Sequence, residues 1–350
     1  MSDIRDAIAR HDPDNMFDAV RGFAENFRDG FAIPGDFAPD RSASDWTQSV
    51  VVGMGGSAIG GDFVRTFCRE TSPVPVSVVR DYALPASVGE GALVIASSYS
   101  GGTEETLAAY DEAKRRGATV YAVTSGGALQ ERAKRDGTPH FIIPGGMQPR
   151  AALGYSLGAM LRLAHQLGLC EISEAEQAEA KQVTDARASA LANLDGNEAL
   201  ELARVLAEKV PLVYTGPGLM EAVGVRWMTQ IQENAKQLAF GNIFAEMNHN
   251  EVLAWEHALP DVRQLLHVVV LQDPADHHKI QKRMEVTKGL LAPKAAGWTE
   301  FTPQGEGKLA RLLSTIQLGD FMSFYLAMLM GVDPTPIETI DHLKRTLAEA

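Results

Sequence analysis

Between residues 49 and 144, short β-branched runs alternate with longer stretches of helical periodicity, and few architectures accept that pattern. A parallel sheet with helices on both faces does, because each strand needs a long crossover before the next can pair beside it. Ser49–Gly53, Val74–Arg80, Ala92–Ser97, Ala118–Thr124 and His140–Pro144 read as strands. Ser57–Glu70, Thr103–Arg116 and Ala128–Asp136 read as helices between them. Ahead of this unit, Met16, Val20, Phe23 and Phe27 recur at spacings of three and four, which predicts one amphipathic helix over 14–29. Residues 30–47, rich in Gly, Pro, Asp and Ser, read as a connection.

Residues 151–208 are rich in Ala, Leu, Glu and Gln and predict two or more bridging helices. The alternation then restarts. Pro211–Gly216 is a strand, a Gly-Pro-Gly turn follows, and a long helix begins near Met220. Leu265–Leu271 is a second strand and Thr299–Phe301 starts a weaker one, before helices over Leu312–Val332 and Ile337–Ala348. The chain therefore reads as two doubly wound α/β subdomains with a boundary within 190–210, drawn as 1–200 and 201–350.

With 350 residues and 45% hydrophobic content, a large core is available. A net charge of −13 without a dense basic run argues against nucleic-acid binding, which draws its affinity from clustered Lys and Arg. A small phosphorylated ligand stays open, since backbone N–H groups and hydroxyls hold phosphate without net positive charge. The apolar Leu312–Val332 stretch carries Ser314, Thr315, Gln317 and Asp320, so it reads as a buried or interface helix, not a membrane span. The polar start MSDIRDAIARHD does not read as a signal peptide. Cys68 and Cys170 lie in no CxxC pair and read as reduced thiols of a cytoplasmic protein.

The clearest local signal is the run VVVGMGGSAIGGD over 50–62, where a buried strand enters a glycine turn and then a helix. Gly53, Gly55 and Gly56 allow close backbone approach, and Ser57 opens a helix whose free N–H groups attract an anion. Gly53-x-Gly55-x-x-Ala58 also matches a relaxed dinucleotide fingerprint, with Asp81 after the next strand, so this loop alone leaves two readings close. A second loop, SSYSGGTEET over 97–106, separates them. Ser98, Ser100 and Thr103 cluster at a glycine-containing turn that opens a helix. One hydroxyl is an ordinary N-cap; three together suit a phosphate, and a nicotinamide fold has no need of them there.

GMGGSAIGGD followed by SSYSGGTEET resembles the sugar isomerase (SIS) fold, in which such loops hold a sugar phosphate. More narrowly, the chain resembles the bifunctional phosphoglucose/phosphomannose isomerases over roughly 14–350. Gln148–Tyr155 (QPRAALGY), Gln232–Lys236 (QENAK), Asn248–Glu251 (NHNE) and the C-terminal Asp333-Pro-Thr-Pro-Ile with Leu343-Lys344 carry this narrower match. The resemblance implies two SIS subdomains, no cofactor and no metal. It implies a homodimer with shared active sites, and conversion of glucose 6-phosphate and/or mannose 6-phosphate into fructose 6-phosphate through an enediolate. Binding residues by this resemblance are Gly55, Gly56, Ser57, Ser98, Ser100 and Thr103.

Aldose–ketose isomerisation must open a ring, move a proton between adjacent carbons and stabilise an enediolate. Read bare, Glu233 is a solvated helical carboxylate, His249 a surface histidine, Arg150 a surface cation and Lys344 a complement to its helix dipole. The resemblance makes Glu233 the base, Arg150 the charge beside it, His249 the ring-opening group supplied by the neighbouring subunit, and Lys344 its helper. Two points depart from or strain the family pattern. Gly102 stands where an asparagine is expected, and Thr335 is the nearest hydroxyl to the threonine credited with mannose activity. Glu246, His249 and Glu251 also admit a metal reading, which lacks further nitrogen ligands. Other functional classes that share features with this sequence are a non-catalytic sugar-phosphate sensor, which usually carries a DNA-binding or partner domain, an amidotransferase module, and a dehydrogenase.

Overall fold

The structure, a computed structural model, describes residues 4–34 and 41–348; part of the expected 30–47 connection lies outside them. The chain opens with α1 (Ile4–His11), α2 (Met16–Arg21) and α3 (Phe23–Ala32). The single helix expected over 14–29 is thus two. Gly22 separates them, and each takes its own partner. Phe17 of the first packs on Phe321 and Phe324, while the second lies along the helix at 153–166.

The first sheet uses β1 (Gln48–Val52), β2 (Val76–Val79), β3 (Ala92–Ser98), β4 (Thr119–Thr124) and β5 (His140–Ile142) in the order β2-β1-β3-β4-β5. All pairings are parallel, with Val50 opposite Ser77 and Val94. Its crossovers are α4 (Gly55–Cys68), α5 (Glu104–Arg115) and α6 (Gly127–Arg135). β3 is buried along its whole length, as a central strand covered on both faces should be. β2 is shorter than the run Val74–Arg80 suggests: Pro75 lends its carbonyl to Ser49 but has no N–H for the ladder.

Three bridging helices follow, α7 (Leu153–Gln166), α8 (Glu174–Leu191) and α9 (Glu198–Leu206). The second sheet has β6 (Val210–Thr215), α10 (Leu219–Asn234), β7 (Phe240–Ile243), two short helices α11 (Glu251–His257) and α12 (Pro260–Arg263), then β8 (Leu266–Leu271), α13 (His278–Leu291) and β9 (Gly297–Phe301). Its order is β7-β6-β8-β9, again wholly parallel.

The chain finishes with α14 (Lys308–Leu329) and α15 (Glu338–Ala348). α14 is long and apolar enough to cross a membrane, yet 94% of its apolar window is buried inside the protein, packed by α8, α9 and α10. α4 and α10 lie side by side and run in opposite directions. Arg65 and Arg69 near the end of α4 bind Glu221 and the Pro217 carbonyl at the start of α10. The start of α4 therefore lies toward the end of α10, and the site is built there.

Candidate active site

Both sheets reverse strand order beside their first strand, which opens a crevice at the carboxyl ends of the flanking strands. In the first sheet this crevice lies between β1 and β3 and holds both expected loops. Gly55 turns with φ 50°. A Cβ on Gly56 would stand 3.2 Å from the Pro149 carbonyl oxygen and 3.9 Å from the Arg150 Cα. The glycine loop thus lies directly against the turn that carries Arg150. Ser57 joins the two loops, its Oγ accepting from the Tyr99 N–H at 3.2 Å. The Ser98 and Thr103 hydroxyls bond each other at 2.9 Å, and exposed Ser100 accepts from the Gly102 N–H at 3.3 Å. A Cβ on Gly101 would meet the Gly126 carbonyl oxygen at 1.8 Å, so only glycine lets this loop fold so tightly. At Gly102, where the family pattern expects asparagine, the added atom would meet nothing within 4 Å.

Arg150 is 3% exposed and is held on several sides. Its Nε donates to Asn234 Oδ1 at 2.8 Å, and Nη2 donates to the carbonyls of Pro334 and Thr335, the latter at 3.1 Å. Nη1 lies 3.8 Å from Glu233 Oε2, so the base candidate and the fixed charge are neighbours. Burial, more than anything else, pulls the Arg150 pKa below its ordinary value, with the Glu233 carboxylate opposing. Glu233 lines an open cleft of about 590 Å³ with Gln232, Lys236, Leu238 and Ile340.

Lys236 is a participant to which sequence reasoning gave no role. Its backbone adopts the left-handed φ of 55°, which costs a non-glycine residue about 1–2 kcal/mol. That turn folds its ammonium back onto the Glu233 and Pro334 carbonyls. Burial and then the Arg150 charge lower its pKa. A positive φ leaves no trace in the residue type here, so the sequence offers no signal for it.

Thr335 reaches the same cluster through its backbone; its Oγ1 is buried with no hydrogen-bond partner among the described residues. His249 and Lys344 do not join the cluster within one chain. His249 is exposed at the end of the turn Glu246–His249, and Lys344 is exposed on α15 without an ion pair among the described residues. Glu251 is engaged by the Tyr214 hydroxyl and by Asn242 Nδ2, the latter at 2.8 Å, and Glu246 accepts from Asn250 at 3.3 Å.

Residues 195–347 match the family described as bacterial phospho-glucose isomerase C-terminal SIS domain, and residues 44–169 match the SIS domain. A relative from Caldicellulosiruptor bescii, named bifunctional phosphoglucose/phosphomannose isomerase, is 42% identical over 95% of this chain and 99% of its own. The chain belongs to the bifunctional phosphoglucose/phosphomannose isomerase family. A second member of that family, from Aquifex aeolicus, is 35% identical over 95% of this chain and 98% of its own.

Solved structures share the fold at lower identity. The C-terminal domain of glucosamine-fructose-6-phosphate aminotransferase from Francisella tularensis superposes with a TM-score of 0.68 at 14% identity, covering 91% of this chain and 97% of that one. A glucose-6-phosphate isomerase like protein from Thermus thermophilus gives 0.58 at 19% identity, covering 95% and 98%. In this family member, the turn that follows β5 of the first subdomain meets the end of α10 of the second where Arg150 and Glu233 meet.

Proposed function

We propose that this chain is an aldose–ketose isomerase that interconverts glucose 6-phosphate, mannose 6-phosphate or both with fructose 6-phosphate. The observation that carries this reading is the Arg150–Glu233 pair, 3.8 Å apart and set against the glycine and hydroxyl loops. The names of relatives up to 42% identical over nearly the whole chain support it, and they favour an enzyme over the sensor alternative.

In this reading the phosphate sits on Ser57, Ser98, Ser100 and Thr103 with the Gly55 and Gly56 backbone. Glu233 takes the proton from one carbon and returns it to its neighbour. The buried Arg150 charge faces the enediolate oxygens, and a fixed charge in a dry site stabilises developing negative charge far better than water does. His249 from a second copy of this chain opens the ring, with Lys344 assisting, and Thr335 sets which C2 epimer fits. No metal or redox cofactor enters this scheme. A cytoplasmic homodimer belongs to the same proposal, supported by exposed His249 and by the exposed Ile340, Leu343 and Leu347 on α15.

The test is Glu233→Gln, assayed with all three hexose phosphates and by solvent-proton exchange into C1 or C2. We expect turnover and exchange to fall by about 10²–10⁴-fold, the usual worth of a positioned base, while an open-chain analogue still binds. Exchange near the parental rate would remove Glu233 from its role. Ser100→Ala should raise KM by roughly 10–100-fold, the loss of one hydrogen bond to a charged phosphate; an unchanged KM would move the phosphate elsewhere.

A further inference from the structure

On α10, Arg226, Gln230 and Asn234 recur at intervals of four on a face that packs against α14, and all three are buried. A polar stripe pressed into an apolar helix is costly unless every group is matched, so its partners are informative. They form a closed circuit around Arg150. Asp320 of α14 accepts from Arg226 at both carboxylate oxygens, 2.9 and 2.8 Å, and the Gln230 amide also favours its charged form. The same Arg226 Nη2 donates to the Arg150 backbone carbonyl at 2.9 Å. Arg150 Nε then donates to Asn234, whose Nδ2 donates to Ser323 Oγ at 3.0 Å, and Ser323 donates to the Asp320 carbonyl at 2.9 Å.

Arg150 is therefore gripped twice from one helix, through its carbonyl by way of Arg226 and through its guanidinium by way of Asn234. We infer that Asp320 and Ser323 are positioning residues, which fix the height and rotation of the Arg150 guanidinium over Glu233 from the middle of the core helix. This inference rests on the isomerase reading above. Neither residue lines the Glu233 cleft. A fixed charge is useful only at its set distance, and a shift near 1 Å costs about 100-fold in rate where geometry controls the barrier.

The experiment compares Ser323→Ala and Asp320→Asn with the parent in glucose 6-phosphate to fructose 6-phosphate turnover, and repeats Ser323→Ala in an Arg150→Lys background. Ser323→Ala removes one hydroxyl and keeps a residue that fits the space, so it answers the question even where Asp320→Asn fails to fold. We expect Ser323→Ala to lower kcat about tenfold with KM within twofold, and to have no further effect once Arg150 is lysine. A kcat within twofold of the parent, a rise in KM in place of a fall in kcat, or an equal loss in both backgrounds would overturn the positioning role. Arg150→Ala separates the two claims. If it abolishes turnover while Ser323→Ala is normal, only the positioning inference fails; if it too turns over normally, the functional reading falls.

Discussion

The carboxylate of Asp276 leans over the second glycine turn, where a Cβ on Gly216 would stand 2.1 Å from its Oδ2. That oxygen is buried without a hydrogen-bond partner among the described residues. Burial, followed by the nearby Asp273 charge, pushes its pKa up to about 6 from 3.8. Below the unfolded value the group is protonated in both states and costs nothing; the stability is lost as pH rises through about 6. Asp276→Asn should thus stabilise the fold at pH 7.5 by about 1–2 kcal/mol, discounted for partial exposure, and have little effect at pH 4. Urea unfolding at the two pH values checks this, and an equal shift at both would sink it. Residues of this kind are where sequence reading stops. Arg226, Gln230 and Asn234 stand in plain view at helical spacing, but a charged and two amide residues read as a solvated face until α14 is known to cover them.

At the level of elements, α3 and α7 cross so closely that added atoms have nowhere to go. A Cβ on Gly158 would stand 2.3 Å from the Phe27 carbonyl oxygen, and one on Gly154 2.6 Å from that of Phe23. Gly158→Ala should push the helices apart and cost about 1–3 kcal/mol, as overpacking does. Because α7 begins just beyond Arg150, kcat should fall with stability; chemical denaturation and turnover of the same sample test both. A variant as stable and as active as the parent would show that the crossing is looser than drawn. The central strands were legible because parallel strands buried on both faces read as continuous apolar runs, as Ala92–Ala96 does. β7 was not: Phe240-Gly-Asn-Ile is four residues long, at a sheet edge and half exposed, so neither hydrophobicity nor period marks it. The glycine and hydroxyl loops could be read because glycine turns and clustered hydroxyls are local chemistry. The Arg150–Glu233 meeting could be reached only through resemblance, since the two come from opposite sides of a long bridge of helices.

On the scale of the whole molecule, α15 presents Ile340, Leu343 and Leu347 at 40%, 57% and 60% exposure, an apolar stripe left open among the described residues. If a second copy covers it, Leu343→Glu with Leu347→Glu should yield monomers by sedimentation velocity and lose turnover of cyclic substrates, since His249 would no longer be delivered. A double variant that sediments like the parent and keeps its rate would dismiss that surface as the dimer contact. The candidate site draws on both subdomains. The glycine and hydroxyl loops rise from the first, Glu233 lies at the end of the first crossover helix of the second, and α10 of the C-terminal half, braced by α14, grips Arg150 of the N-terminal half. A chain cut at Gly196, in the half-exposed turn between α8 and α9, would give one piece with the loops and Arg150 and another with Glu233 and an uncovered core helix. On the proposed site, neither fragment should turn over substrate alone, and co-expressed halves should regain activity only by reassembling. Catalysis in this chain is consequently an all-or-nothing report on folding: a molecule with one finished half is silent, and every molecule that turns over has completed both.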